Sequence, residues 1–229
     1  MSSRRKDTKI PKEPRMKEFL EKDEKEREAR IKRIEDEFRK GFEFLAKYGK
    51  AATFFGSSRK NMEDEHYRDA TKLAAMLAKD DYVIITGGGP GIMHAANRGA
   101  VEGGGKSVGL NIQLPMEQQV NDFVEESEDF HYFFSRKVML AFASEVYVFF
   151  PGGFGTLDEF FELATLVQTK KIEPIPIILV SREYWEPLLD WIKEEVYQDH
   201  KAIDEEDMDI YTLVDSAEEA YKLIKKLEE

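Results

Sequence analysis

The sequence has no cysteine among its 229 residues and no long apolar run. Without cysteine the chain can form neither disulfides nor thiolate metal sites, and catalysis by a thiolate is excluded. The first residues are charged throughout, so a signal peptide is not expected, and no stretch is apolar enough to cross a bilayer. We therefore expect a cytoplasmic protein that does not act on membranes.

Histidine is also scarce. The four histidines are His66, His94, His131 and His200, and none of them stands at the short spacing that joins two ligands of one metal ion. The sequence therefore predicts neither a metal site nor a cofactor.

Positive charge is scarce outside the N-terminal stretch. Residues 1–50 hold 17 Lys and Arg against 12 Asp and Glu, and the remainder holds 17 against 34, giving net charges near +5 and −17. Non-specific binding of nucleic acid depends on clustered basic side chains that neutralise phosphates. We therefore expect no nucleic-acid partner, and any bound phosphate must be held by local groups.

The chain divides into three parts. Residues 1–13 are charged and poor in apolar side chains, which predicts a disordered tail. Residues 14–47 form an amphipathic helical extension, and residues 48–229 form the main domain. The extension carries an apolar stripe at three- and four-residue steps, which must be buried on the domain or on another subunit. The stripe consists of Ile31, Ile34, Phe38, Phe42 and Leu45.

After residue 48, short β-rich runs alternate with helical patterns. This alternation is typical of an α/β protein with a Rossmann-like, doubly wound and mainly parallel sheet that has helices on both faces. Strands are predicted at 51–55, 82–86, 107–110, 146–150, 175–180 and 210–214. Helices are predicted near 65–80, 91–102, 135–144, 157–170, 183–196 and 216–228.

Three predicted strands end in glycine-rich turns, at 56–58, 86–91 and 151–156. The carboxyl ends of parallel strands lie at one edge of the sheet, where such folds bind ligands. Glycines allow the backbone to approach an anion, and the following helix supplies N–H groups and a partial positive charge. Gly56, Ser57, Gly88 and Gly89 in the first two turns are therefore candidate binding residues, although tight turns alone would also explain the glycines.

The common nucleotide motifs do not fit these turns. The dinucleotide pattern Gly-x-Gly-x-x-Gly places Ile92 at its last glycine when it begins at Gly87, and Asp158 when it begins at Gly153. A P-loop that ends at Lys106 and Ser107 would need a glycine where Ala100 stands. NAD and ATP chemistry therefore lack their usual sequence support.

Three segments together resemble the LONELY GUY (LOG) family, whose members are often labelled lysine decarboxylases. They are residues 87–93 (GGGPGIM), residues 135–139 (SRKVM) and residues 151–159 (PGGFGTLDE). The resemblance extends from about Ala51 to the C-terminus. Residues 114–118 and the two phenylalanines before Ser135 look more like the larger bacterial branch than the compact plant enzymes.

The resemblance implies a phosphoribohydrolase that releases a free base and ribose 5-phosphate from a nucleoside 5'-monophosphate. By motif position Arg136 and Glu159 would be catalytic, and Glu117 and Thr165 would contact the base or the ribose. The nucleotide, chiefly its phosphate, would be held by Lys137, Gly152, Gly153, Gly155 and Thr156. The family also pairs its subunits, so a homodimer or a larger homo-oligomer is expected.

The chemistry suits these residue types. Glycosidic cleavage builds positive charge on the ribose, which a carboxylate can stabilise while it orients water, and an arginine can bind the departing base. Thr156 and Glu159 also match a capping box, in which both side chains only satisfy backbone N–H groups. Arg136 and Lys137 could likewise be an ordinary exposed basic pair.

Two further interpretations remain open. The aromatic run at 130–134 could stack on a base, but core or dimer packing is the more usual role of such a run. The chain could also bind a nucleotide or molybdenum cofactor without catalysis. Lysine decarboxylation would need a pyridoxal phosphate lysine, and no sequence feature marks one.

Overall fold

The computed structural model describes residues 17, 23–59, 65–113 and 120–228, so the predicted tail at 1–13 lies outside the described residues. Within this part of the chain, seven strands form one sheet in the order β4-β3-β2-β1-β5-β6-β7, and every neighbouring pair is parallel. The strands are β1 (Ala51–Phe55), β2 (Val83–Thr86), β3 (Ser107–Ile112), β4 (Glu126–Phe130), β5 (Val146–Phe149), β6 (Ile177–Val180) and β7 (Tyr211–Val214).

Helices connect the strands. They are α1 (Glu24–Leu45), α2 (Glu65–Lys79), α3 (Ile92–Glu102), α4 (Phe133–Ala141), α5 (Phe154–Gln168), α6 (Arg182–Trp191) and α7 (Ala217–Leu227). A π-helical segment, Ile192–Asp199, continues α6, and a short 3-10 helix, Glu205–Asp209, precedes β7. Over the described ranges, none of these helices is both long and apolar enough to cross a membrane.

The sheet is covered on both faces, as predicted for a doubly wound fold. Alternate β1 side chains enter different cores, with Ala52 and Phe54 on one face and Ala51 and Phe55 on the other. Helices α2, α3 and α7 cover the first face, and helices α1, α4, α5 and α6 cover the second. Burial on both faces explains why β1, β2, β5 and β6 are apolar at nearly every position.

Strand β4 is the main element that the sequence pattern did not predict. Its residues, Glu-Ser-Glu-Asp-Phe, lack the apolar alternation of a strand, and most of them are exposed because β4 lies at the edge of the sheet. The aromatic run at 130–134 is therefore divided. Phe130 ends β4 and is fully buried, whereas Phe133 and Phe134 begin α4 and are 58% and 45% exposed.

The extension forms helix α1, but its buried side differs from the predicted stripe. Phe38 and Leu45 pack against the second core as expected, whereas Ile31 and Phe42 are exposed. The buried positions of the helix are Glu37, Gly41 and Phe44. The domain buries only part of the stripe, and burial of Ile31 and Phe42 on another subunit stays a prediction. An apolar periodicity does not reveal that a glycine and a carboxylate, Gly41 and Glu37, are buried.

Candidate functional site

Backbone hydrogen bonds join the three glycine-rich loops at the carboxyl edge of the sheet. The Ser57 amide, after β1, donates to the carbonyl of Pro151, after β5, at 3.0 Å. The Ile92 amide at the start of α3 donates to the Ser57 carbonyl at 3.0 Å. Strands β1 and β5 are neighbours from which the chain winds in opposite directions, and such a switch point is the usual ligand site of an open α/β sheet.

A buried polar network fixes the loop after β2. The Gly88 amide donates to Thr86 Oγ1 at 2.9 Å, and Thr86 Oγ1 donates to Asn97 Oδ1 at 2.7 Å. Asn121 donates from its backbone to the Gly88 carbonyl and from Nδ2 to the Gly89 carbonyl. Gly88 has a φ of +70°, a conformation that favours glycine. The loop is therefore held in shape before any ligand binds.

Glu117, a predicted contact of the base or ribose, lies outside the described residues. Asn121, which is described, donates hydrogen bonds to Gly88 and Gly89. The sequence reasoning missed Asn97 and Asn121, because an isolated asparagine carries no motif.

Arg136 lies in the second turn of α4, with its guanidinium against the ends of β2 and β3. Its Nε donates to the Leu110 carbonyl at 2.7 Å, and its Nη2 lies 3.4 Å from the Gly87 carbonyl oxygen. A Cβ added at Gly87 would lie 2.0 Å from Nη2, so any other residue there would displace the guanidinium. Burial lowers the pKa of Arg136, while the negative charge of Glu159 acts in the opposite direction. The alternative interpretation of Arg136 as a member of an ordinary exposed basic pair is therefore wrong.

Lys137 points toward α5. Its Nζ lies 2.7 Å from Asp158 Oδ2 and 3.1 Å from Glu162 Oε2. Burial alone would lower the pKa of Lys137, but the hydrogen bonds to these two carboxylates outweigh it, and the pKa is raised. The ammonium therefore stays charged and links the two helices.

Glu159 lies in the second turn of α5, partly buried beside the two basic residues. Burial raises its pKa to about 7, although Lys137 and Arg136 act to lower it. The acid can therefore exchange a proton near neutral pH, as an acid–base catalyst must. A strongly shifted carboxyl at a ligand-binding edge is typical of functional sites.

The structure excludes the capping box. Helix α5 begins at Phe154 with Gly153 as its N-cap, so Thr156 is the third helical residue and Glu159 the sixth. No side chain among the described residues caps this helix. The sequence pattern placed the helix start three residues too late, because Gly155 was read as part of the loop.

The start of α5 is open. Its first turn contains no acidic residue, and the first N–H groups of any helix lack partners within the helix. A Cβ at Gly152 would meet Thr156 Oγ1 at 2.0 Å, so the fold itself requires glycine there. A Cβ at Gly153 or Gly155 would meet nothing within 4 Å. The protein alone does not require these two glycines, which leaves room for an anion to approach.

A cavity of about 630 Å³ lies beside these loops. The predicted residues Ser57, Gly152 and Gly153 line it. Ser58, Gly91, Ile92 and Pro151, from the predicted turns and the family segment at 87–93, also line it. The sequence reasoning missed the remaining walls, which come from Arg59, His66, Tyr67 and Tyr184. Arg59 could have been noticed as a basic residue beside a glycine turn. Tyr184 could not, because it comes from α6, although its hydroxyl donates to the Gly152 carbonyl at 2.6 Å.

The cavity wall does not include Arg136 or Glu159. Six residues separate Gly153 from Glu159, which is about 9 Å along a helix, and side chains lean toward the helix N-terminus. That distance is comparable to the size of a ribose 5-phosphate, so the cavity and the charged pair can form two ends of one site. The shifted pKa of Glu159 and the hydrogen bonds of Arg136 both lie at the Arg136–Glu159 end.

Thr165 is not brought to this site. It is exposed, lies about 9 Å beyond Glu159 along α5, and faces about a third of a turn away. Within the described ranges, no group of three or more His, Asp or Glu residues could hold a metal ion.

The fold and the site together define an α/β protein with a Rossmann-like sheet, whose glycine-rich edge holds a buried arginine and a carboxylate. The family model described as "Possible lysine decarboxylase" matches residues 93–224. The chain therefore belongs to that family, which is the LOG family that its motifs resemble.

Similar proteins agree with this assignment. The cytokinin riboside 5'-monophosphate phosphoribohydrolase LOG1 of Arabidopsis thaliana is 29% identical over 82% of this chain and 86% of its own length. An enzyme of the same name from Rhodococcoides fascians is 24% identical over 63% of this chain and 74% of its own. The molybdenum cofactor binding protein of Rippkaea orientalis is 20% identical, with a TM-score of 0.58 over 79% of this chain and 99% of its own, and supports the fold.

Proposed function

We propose that this chain hydrolyses the N-glycosidic bond of a nucleoside 5'-monophosphate, yielding a free base and ribose 5-phosphate. The observation that carries the proposal is Glu159, a partly buried carboxyl with a pKa near 7 that lies beside Arg136 on the helix that follows the glycine loop. The related enzymes named as cytokinin riboside 5'-monophosphate phosphoribohydrolases support the same reaction.

In the reaction, ionised Glu159 stabilises the positive charge that develops on the ribose and accepts a proton from the attacking water. The water oxygen bonds to the anomeric carbon as the bond to the base nitrogen breaks. The base leaves with the bonding electron pair and takes up a proton from solvent, and Glu159 then releases to solvent the proton that it accepted from the water. Arg136 has five N–H donors, of which two face protein carbonyls, and its other donors can bind the departing base.

The phosphate occupies the open start of α5. Backbone N–H groups at Gly153 and Gly155 and the positive end of the helix favour an anion there. Ser57 and Arg59 line the adjoining cavity and can contribute further donors. Gly56, Gly88 and Gly89 shape the neighbouring loops, and Thr156 packs against Gly152 to fix the start of the helix. Lys137 acts mainly as a charged link between the two helices.

A panel of nucleoside 5'-monophosphates, assayed for released base, tests the proposal. We expect base and ribose 5-phosphate in equal amounts from AMP or a related nucleotide, and no base from the corresponding nucleoside. A panel that includes cytokinin riboside monophosphates and yields no base from any nucleotide would refute it. Ligand retention through purification without turnover would instead favour a nucleotide or molybdenum cofactor carrier.

Lysine decarboxylation is a poor match to the site. A lysine that forms a Schiff base with pyridoxal phosphate must become neutral, which requires a lowered pKa. The pKa of Lys137 is instead raised by Asp158 and Glu162. Schiff-base absorbance in the purified protein would contradict this reasoning.

We further propose a cytoplasmic homodimer. Phe154 is 93% exposed at the start of α5, and Phe161 and Thr165 are exposed farther along the same helix. A second subunit that covers this helix would bury the aromatic rings and bring Thr165 toward a substrate. Sedimentation that gives only monomers would refute the dimer, and cell fractionation tests the location.

A further inference from the structure

Glu37 is an unusual residue on the N-terminal helix. Helix α1 is mostly exposed, yet the side chain of Glu37 is buried, together with the neighbouring positions Gly41 and Phe44. Burial of a carboxylate is costly unless hydrogen bonds replace its water. The contacts of Glu37 therefore call for an explanation.

The carboxylate of Glu37 closes the start of α4. Its oxygens accept hydrogen bonds from the His131 amide at 2.9 Å, the Tyr132 amide at 3.3 Å and the Ser135 hydroxyl. Tyr132 is the N-cap of α4 and provides no capping side chain of its own. The Tyr132 amide is the donor that the N3 acid of a capping box would bind, and here the acid comes from a different helix. Its charge lies near the helix start, where it complements the helix dipole.

Two more contacts hold α1 against the same turn. A Cβ at Gly41 would lie 2.5 Å from Met139 Sδ, so the Met139 side chain of α4 packs directly on the α1 backbone at this glycine. The guanidinium of Arg30 lies 5.6 Å from the centre of the Tyr132 ring. Together these contacts fix the position of α4 at its first two turns.

Arg136 immediately follows Ser135. Its guanidinium must reach the Leu110 carbonyl and the Gly87 loop, and a Cβ at Gly87 would already collide with it. Small displacements of a catalytic group can lower turnover by as much as a hundredfold. The placement of α4 therefore determines whether Arg136 reaches its working position.

We propose that Glu37 is a positioning residue for Arg136, so that the N-terminal helix completes the active site by capping the helix that carries the arginine. The proposal rests on the proposed hydrolase function for its kinetic part only. Its structural part concerns the hydrogen bond between Arg136 Nε and Leu110, which can be observed without turnover.

The test compares Glu37→Gln and Glu37→Ala with the exposed control Glu43→Gln in the full-length chain. Glutamine keeps the shape and one acceptor oxygen, whereas alanine removes the acceptor of the His131 and Tyr132 amides and leaves the Ser135 hydroxyl only the Tyr132 carbonyl. We expect kcat to fall about tenfold in Glu37→Gln and up to about a hundredfold in Glu37→Ala, with KM changed less than about twofold. The control should match the wild type.

Activity is measured well below each variant's melting temperature, so that all molecules are folded in the assay. A kcat equal to that of the wild type in both Glu37 variants, or a loss that follows only the unfolded fraction, would overturn the proposal. If Glu37→Ala does not fold, Glu37→Gln decides.

A second readout does not depend on activity. In ¹⁵N NMR spectra, the Arg136 Nε–H signal should exchange slowly in the wild type and faster in Glu37→Gln, and the His131 and Tyr132 amides should do the same. Unchanged exchange would overturn the proposal even if the wild type hydrolyses nucleotides. If exchange is faster in Glu37→Gln but the wild type shows no turnover, the positioning role is supported and the proposed hydrolase function is refuted.

Discussion

Helices α4 and α5 both begin near the candidate site, but a carboxylate of the protein lies at the start of α4 and none lies in the first turn of α5. The start of α4 is closed by a carboxylate from α1, which binds the His131 and Tyr132 amides. The start of α5 has a glycine N-cap, no acidic residue in its first turn and two glycines whose Cα atoms face open space. The protein supplies its own anion at α4 and leaves α5 available for an external one.

The charged side chains follow the same division. Helix α4 carries Arg136 and Lys137 near its positive end, where cations oppose the helix dipole. Helix α5 carries the acids that compensate them, with Lys137 paired to Asp158 and Glu162 and Arg136 interacting with Glu159. Two helices with opposite charges thus hold each other in register, and Glu159 is the acid whose pKa is most strongly shifted toward neutrality.

The largest effect is expected when the carboxylate of α5 is neutralised. In Glu159→Gln the ribose cation loses its stabilising charge and the water loses its base, so kcat should fall by about a thousandfold or more. The dissociation constant of the nucleotide should change only a few-fold, because the phosphate binds at the other end of the site. Steady-state kinetics and calorimetric titration with nucleotide measure the two quantities.

Asp158→Asn is the matched control on the same helix. Asp158 is exposed and its ion pair with Lys137 lies at the surface, so kcat should fall less than about threefold. Equal losses in the two variants would mean that the general charge of α5, rather than Glu159, supports the reaction.

The sequence predicted the fold and the chemical residues better than the surroundings of the site. Apolar strands buried on both faces have a clear pattern, and six of the seven strands were predicted. Strand β4 was not, because an exposed edge strand needs no apolar residues. The position of the α5 start was missed because glycine is a poor helix former and Gly155 lies inside the helix.

Contacts between distant segments were also beyond the sequence. Arg136 and Glu159 were predicted from motifs, but nothing in a motif shows that Gly87 accommodates the guanidinium or that Tyr184 closes the cavity. In the sequence, Glu37 is one of many charged residues of the extension, and no pattern distinguishes it from the others. Its role depends on the packing of α1 on α4, which only the tertiary structure provides.

The stability of the protein should depend on pH through Glu159. The pKa of the folded state is near 7, above the ordinary value of 4.5, so folding favours the protonated acid. Below pH 4.5 Glu159 is protonated in both the folded and the unfolded state. Above pH 7 it is ionised in both states, and the folded state then bears the full cost of burying the charge. The contribution of this residue should therefore decrease by about 2–3 kcal/mol as the pH rises from 4.5 to 7.

Denaturant unfolding at pH 5 and pH 8 measures this effect. Glu159→Gln removes the titrating group and should be more stable than the wild type at pH 8, with the difference reduced at pH 5. Glu173→Gln, at an exposed position after α5, should behave like the wild type at both pH values. A Glu159→Gln variant that gains no stability at pH 8 relative to pH 5 would contradict the raised pKa.

The smallest effect tests the open helix start directly. Alanine at Gly155 meets nothing in the protein and should stabilise the helix by roughly 0.5–1 kcal/mol. If the phosphate approaches this Cα, the same methyl group should weaken nucleotide binding by about tenfold, which corresponds to about 1.4 kcal/mol. Stability and affinity would then change in opposite directions.

Two glycines provide the controls for that variant. Gly152→Ala places its Cβ 2.0 Å from Thr156 Oγ1, so it should lose stability and affinity together. Gly49→Ala, outside the site and also without a neighbour within 4 Å, should leave affinity unchanged. A stable Gly155→Ala protein that binds nucleotide as tightly as the wild type would show that the phosphate lies elsewhere. The start of α5 would then be open without serving as the anion site, and the contrast with the closed start of α4 would have no functional meaning.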